Sequence, residues 1–173
     1  MPDTAALASI MREQCPAIRV RTAGRMLARL YDEALRDLGL EMSQMPVLAA
    51  FAIRGERGFQ VTEVARALVM DRTSVTRAIR PLERRGLLRV ARSPDDARSK
   101  IVLITREGER TVRAAYPRWQ RTTQRIRRAY GTGRTDRLAQ ELDALIAAGL
   151  GLTVRRAPSP RARPSRPPRR ASR

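Results

Sequence analysis

The chain has 173 residues, room for one core rather than two, and carries 36 Lys and Arg against 17 Asp and Glu, a formal charge of +19. That balance points to a polyanionic partner or an anionic surface. With no histidine and one cysteine, Cys15, zinc fingers, haem attachment, internal disulfides and His-dependent triads are excluded.

Nothing else in the sequence offers catalysis a foothold. Phosphate-binding loops, paired metal-ligand helices and Gly-rich dinucleotide turns are all missing, so no catalytic residue, metal ligand or cofactor is assigned. No apolar run reaches the roughly 18 residues of a membrane span, and the N-terminus lacks the charged-then-apolar layout of a signal peptide. The sequence therefore predicts a cytoplasmic, non-enzymatic protein without membrane contact. Aromatic residues make up 3% of the chain, so its core is aliphatic.

In chain order, Met1 to Gln14 reads as a loose lead-in or a helical extension, and Pro16 is a plausible first helical residue. A first main helix then runs to about Leu38 and stops at Gly39, with Leu27, Leu30, Tyr31, Ala34, Leu35 and Leu38 along one face. Ser43 is the candidate cap of a second helix, Met45 to Ile53, so apolar that it must be buried. Gly55 to Gly58 is a turn, and Phe59-Gln60 a possible short strand.

The organising stretch is Val61 to Thr105. Val61, Val64, Ala65 and Leu68 recur at helical spacing, and Thr62 is the candidate N-cap; Val69, Met70 and Asp71 fill a turn, and Asp71 can cap the next helix. There Val75, Ala78, Ile79 and Leu82 repeat the apolar spacing, and the opposite face gathers Thr73, Arg77, Arg80 and Arg84 with Ser74 and Thr76 at its flanks. On a lone helix such a strip is usually a solvated face. Two short helices joined by a tight turn, however, have the spacing of a helix-turn-helix, whose second helix reads the DNA major groove through Arg-guanine pairs and hydroxyl contacts. Pro81 should bend this second helix, leaving Arg72 to Arg80 for the groove, with Gly86 as C-cap. Ending the helix at Arg80 instead would remove only Arg84 from the contacts.

Leu87–Arg92 and Lys100–Thr105 are β-rich runs around Ser93-Pro94-Asp95-Asp96, which predicts a hairpin. Its loop gathers Arg92, Arg98 and Lys100 around Asp95 and Asp96, and an acid two residues from an arginine can hold the guanidinium extended for a narrow minor groove. A solvated hairpin is the plainer alternative.

Beyond it, Thr105 caps a helix from Arg106 to about Tyr130, with Val112, Ala115, Trp119 and Ile126 inward and a kink possible at Pro117. Gly131 to Gly133 should break it before a last helix, Asp136 to Ala148, with Leu138, Leu142, Leu145 and Ile146 at core spacing. Helices this long exceed what a small winged core can cover, so their apolar faces call for a second copy of the chain. From about Thr153 the sequence turns to eight Arg and five Pro without an acid, a composition that cannot fold alone. Those eight charges set aside, +11 of the +19 stays on the body, and the arm should add phosphate affinity and salt dependence, or else serve as a solubilising extension.

Over roughly Ile18 to Leu150 the sequence resembles the MarR family of bacterial winged helix-turn-helix transcription regulators. The likeness rests on LARLYDEALRDLGL from Leu27, VTEVARAL, DRTSVTRAIRPLERRGLL, SPDDARSK and the I-T-R-E-G exit from Ile104; Asp96-Ala97-Arg98 matches the family's D-x-R wing signature. It implies a mainly α (α+β) domain over residues 1–152, in which 43–105 form the winged helix-turn-helix and 18–40 with 106–150 a helical dimerisation region. Residues 153–173 remain as a disordered tail about which the likeness is silent. It implies a homodimer reading a pseudo-palindrome in double-stranded DNA. The reading helix would supply Arg72, Thr73, Ser74, Thr76, Arg77 and Arg80, and the wing Arg92, Asp96, Arg98 and Lys100. A phenolic or anionic effector is implied where the helical region meets the winged unit, weakening DNA binding by changing the spacing of the readers.

One branch of the family senses organic hydroperoxides through an N-terminal cysteine bonded by two tyrosines of the partner. Cys15 and Tyr31 match two of these parts, but Met42 stands where the second tyrosine would be and the Cys15–Tyr31 spacing fits poorly, which leaves a plain buried thiol as the alternative. Two other readings stay open. One is an architectural or RNA-binding protein driven by charge, and the other is a winged helix used for protein contact.

Overall fold

The computed structural model describes residues 3–93 and 99–151. Asp96 and Arg98, and the tail from Leu152, lie outside the described residues. The chain divides into a unit of residues 1–129 and a second of 130–173.

The first unit begins with α1, Thr4–Gln14, so the lead-in is helical. Cys15 is extended (φ −81°, ψ 111°) and separates α1 from α2, Pro16–Leu35, with Pro16 at the first turn where its missing N–H costs nothing. The helical face closes earlier than the sequence suggests. After Leu35 the backbone tightens into a 3₁₀ turn, Arg36–Leu38, and Gly39 at φ 59° ends it.

Next comes α3, Met45–Arg54, whose N-cap is Gln44 rather than Ser43. The turn has already begun at Glu41, whose carbonyl accepts from the Gln44 and Met45 N–H groups, and Ser43 spends its hydroxyl on the Glu41 carboxylate at 3.1 Å. Val47, Leu48 and Phe51 are buried as the composition demands, yet Ile53 is 87% exposed. It sits on the face that no neighbouring element covers.

The helix-turn-helix is α4, Val61–Ala67, and α5, Arg72–Arg84. Thr62 is not the cap of α4. Phe59 exchanges both backbone hydrogen bonds with Val102, at 3.0 and 2.8 Å, which leaves Gln60 extended as the cap; the Glu63 carboxylate accepts from the Gln60 N–H at 2.7 Å. Within the turn Val69 takes φ 52°, a conformation that branched side chains rarely adopt. The second helix runs through Pro81 to Arg84. It closes in a Schellman arrangement, Gly86 N–H to Glu83 O at 2.8 Å and Leu87 N–H to Leu82 O at 2.9 Å.

Strands β1, Leu88–Arg92, and β2, Lys100–Ile104, pair antiparallel from Leu88↔Ile104 to Arg92↔Lys100. Since Phe59 bridges the far side of β2, the expected third strand is present as a single-residue bridge. Leu35, Leu40, Val47, Leu48, Phe51, Val64, Val75, Ile79, Leu82, Leu87, Leu88, Val102 and Ala115 form one continuous core. At about 25 cal/mol per Å² of apolar surface removed from water, this cluster dominates the folding free energy.

Helix α6, Arg106–Tyr130, buries residues seven apart, Gly108, Ala115 and Thr122, of which Ala115 joins that core. Small residues let the helix approach closely; a Cβ on Gly108 would lie 2.2 Å from the Leu87 carbonyl oxygen. Trp119, expected inward, keeps 36% exposure and stacks on exposed Tyr116 at 5.9 Å, because this part of the stripe lies beyond the winged core. Farther along, the Thr123 hydroxyl hydrogen-bonds the Tyr31 hydroxyl of α2 at 2.9 Å.

In the second unit, α7 spans Thr132–Gly151. The break before it is Gly131 alone, at φ 100°, and Gly133 is helical. Leu138, Leu145, Ile146 and Leu150 are exposed.

Candidate nucleic-acid interface

The reading face of α5 is built from its N-terminus. Asp71, extended at φ −76°, ψ 154°, accepts the Ser74 hydroxyl at 2.5 Å and the Ser74 N–H at 2.8 Å. These two donors, the hydroxyl foremost, hold the Asp71 carboxyl below the ordinary carboxylate range. The cap thus stays ionised, and its negative charge opposes the positive end of the helix dipole.

From Arg72 to Arg80 the helix carries no acid. Val75 and Ile79 anchor its inner side, and Arg72, Thr73, Arg77 and Arg80 project into solvent. Together with Thr76 these four line one shallow depression, so five of the six predicted reading residues share a surface. Ser74 is set apart, on the other flank of Arg77 beside Gln44 and Met70, with its hydroxyl proton given to Asp71. Thr76 donates to the Arg72 carbonyl at 2.8 Å, which leaves its hydroxyl oxygen open as an acceptor. No ion pair engages Arg72, Arg77 or Arg80 among the described residues. Their guanidinium groups keep their donors for phosphate or for guanine edges.

At the base of the wing, Arg92 and Lys100 are direct cross-strand neighbours and both exposed; the Ser93 N–H donates to the Ser99 carbonyl at 2.9 Å just beyond them. Two adjacent cations repel unless an anion lies between them.

Cys15 is half-buried between α1 and α2. Tyr31, the tyrosine matched to thiol chemistry, already bonds Thr123 within its own chain. The Met42 N–H donates to the Asp32 carboxylate at 2.6 Å, so this position serves the turn after α2.

Sequence reasoning passed over Arg85, whose guanidinium donates to the carbonyls of Leu38, at 2.6 Å, and Gly39. An Arg-Arg-Gly exit from a helix was its only visible trace. Among the described residues, no helix is long and apolar enough to cross a membrane, and no cluster of three or more His, Cys, Asp or Glu could hold a metal ion.

Residues 38–99, the winged helix-turn-helix without its last strand, match the model of the MarR family. No curated protein matches the chain. Among solved structures, the M. tuberculosis transcriptional regulator MosR in complex with DNA is 29% identical, with a TM-score of 0.66 over 78% of this chain and 98% of that one. CouR of Rhodococcus jostii RHA1, bound to p-coumaroyl-CoA, is 22% identical, with a TM-score of 0.64 over 77% and 92%. The S. aureus MepR–DNA complex is 18% identical, with a TM-score of 0.67 over 77% and 97%. The last two likenesses are of fold. With residues 38–99 matched to the family model, the fold shared with MosR over most of both chains and an acid-free helix at the surface, the chain carries a MarR-type winged helix-turn-helix, the module of DNA-binding transcription regulators.

Proposed function

We propose that the chain acts as a homodimer on a pseudo-palindromic operator in double-stranded DNA, as a repressor released by a small effector. One observation carries the reading: the surface shared by Arg72, Thr73, Thr76, Arg77 and Arg80, which among the described residues holds no acid and no ion pair. In the major groove Arg77 and Arg80 take base edges, Arg72 and Thr73 secure the flanking phosphates, and Ser74 and Thr76 contribute acceptor oxygens. Arg92 and Lys100 hold the backbone beside the wing, whose Arg98, steadied by Asp96, enters the minor groove.

The second copy is supported by apolar surface that a monomer leaves in water. Leu7, Ile10, Met11, Ile18, Val20 and Met26 are exposed along α1 and α2, as are Leu138, Leu145, Ile146 and Leu150 along α7. Contiguous apolar faces of this length mark association sites. For the effector, p-coumaroyl-CoA in the CouR structure supports an aryl or anionic ligand, which acts by favouring a reader spacing that the operator does not fit. The division into a regulator domain of 1–152 and a basic arm of 153–173 belongs to the same proposal.

The test compares operator with unrelated duplex. Arg77→Ala and Arg80→Ala should each lose about 1–3 kcal/mol of operator preference while non-specific binding changes little. Equal losses on all DNA would instead favour a sequence-tolerant architectural protein.

A further inference from the structure

The C-terminal end of the reading helix is held differently from the rest of it. Along its length α5 is seated by Val75, Ile79 and Leu82, contacts without direction that resist lifting more than sliding. Its last turn, by contrast, is tied at two points. The Arg85 guanidinium, on the residue that caps α5, forks onto the carbonyls of Leu38 and Gly39, 47 and 46 residues earlier in the chain. Those carbonyls close the 3₁₀ extension of α2, and the left-handed turn at Gly39 (φ 59°) presents them side by side; a Cβ there would lie 3.4 Å from the Arg85 Cζ. A planar cation with two parallel donors suits the negative end of a helix, where carbonyls lack partners.

The second tie follows directly. The Thr105 hydroxyl donates to the Gly86 carbonyl at 2.6 Å and accepts the Gly108 N–H of α6 at 3.0 Å, while the Thr105 N–H donates to the Leu87 carbonyl at 3.0 Å. Within three residues, therefore, the reading helix is fastened to α2 through Arg85 and to α6 through Thr105.

We propose that Arg85 is a positioning residue for DNA reading: its fork onto Leu38 and Gly39 locks the axial position of α5 to α2, so that the helical arms set the distance between the two readers. The proposal rests on the dimeric reading above, since a distance between readers exists only in a pair.

The experiment uses the full chain and a genomic duplex that the wild-type protein protects, together with versions having one to three base pairs inserted between the half-sites and a duplex holding one half-site. Arg85→Met keeps the aliphatic stem and removes the donors, and Arg85→Lys keeps the charge but not the fork. Wild type should discriminate sharply between spacings. R85M should lose about threefold to tenfold of that discrimination, the range open to a coupling residue, and keep its single-half-site affinity within about twofold, with R85K between. Should R85M fail to fold, R85K alone decides by the same ratio. A sharp wild-type profile retained by the variants overturns the role of Arg85, whatever happens to their thermal stability. A flat wild-type profile overturns the paired reading beneath it, and the proposal with it.

Discussion

Ser74 supplies both donors that keep Asp71 ionised, so its hydroxyl proton goes to building the start of α5 and only its oxygen lone pairs stay open as acceptors. Asp71→Ala should destabilise the fold, as the loss of an N-cap does. Its sign with pH follows from the direction of the shift. A carboxyl held below its unfolded value stabilises the fold above that value and loses the contribution as pH falls through the folded one. Urea midpoints of wild type and D71A should therefore differ at pH 7 and converge below about pH 4; a gap unchanged at low pH would show that the carboxylate charge is not what the cap provides. Gly108 illustrates a residue whose motif was visible before its reason. The I-T-R-E-G exit is visible as a pattern in the sequence, and the Leu87 carbonyl, 2.2 Å from where a Cβ would lie, shows why no side chain fits there.

At the level of elements, the parts readable in sequence were those fixed by neighbours in the chain. The α4–α5 pair, the Asp71 cap, the Gly86 exit and the Thr105 cap each depend on residues within about five positions, and the periodicity of Val75, Ile79 and Leu82 gave the inner face of α5. What stayed hidden was set from a distance. Thr62 is chemically the better cap, but the Phe59–Val102 bridge fixes the extended residue at Gln60. Arg85 reads as one more solvated cation because its acceptors lie 46 and 47 residues away. Pro81 is the clearest local conflict, since α5 runs through it although its ring denies Arg77 a backbone partner. A proline inside a helix costs about 3 kcal/mol, less what its rigidity removes from the unfolded chain. Pro81→Ala should thus raise the denaturation free energy by about 1–3 kcal/mol with an unchanged denaturant slope. A variant no more stable than wild type would mean that the Pro81 ring packs well enough to offset its missing donor.

Across the whole molecule, positive charge is carried almost entirely by one group. Lys100 is the sole lysine among 36 basic residues, so the body and the arm alike meet phosphate through guanidinium, which binds it in a fork rather than as a point charge. The two regions nonetheless contribute in different ways. On the body, the proposed reading gives base edges to Arg77 and Arg80, which share one surface of α5, and base edges are where sequence is read. The arm from Thr153 offers eight arginines and five prolines with no acid, a composition that neutralises phosphate without reading it. Each phosphate neutralised on B-DNA adds about 0.9 to the magnitude of the slope of log K against log salt, so eight contacts set a ceiling of about 7. Deleting residues 153–173 should lower that slope by several units, weaken operator and unrelated DNA in parallel, and leave the ratio between them nearly unchanged. Fluorescence anisotropy at a series of salt concentrations measures both quantities. An unaltered slope would make the arm a solubilising extension, and a collapsed ratio would place base reading in the arm, against the assignment of that task to α5.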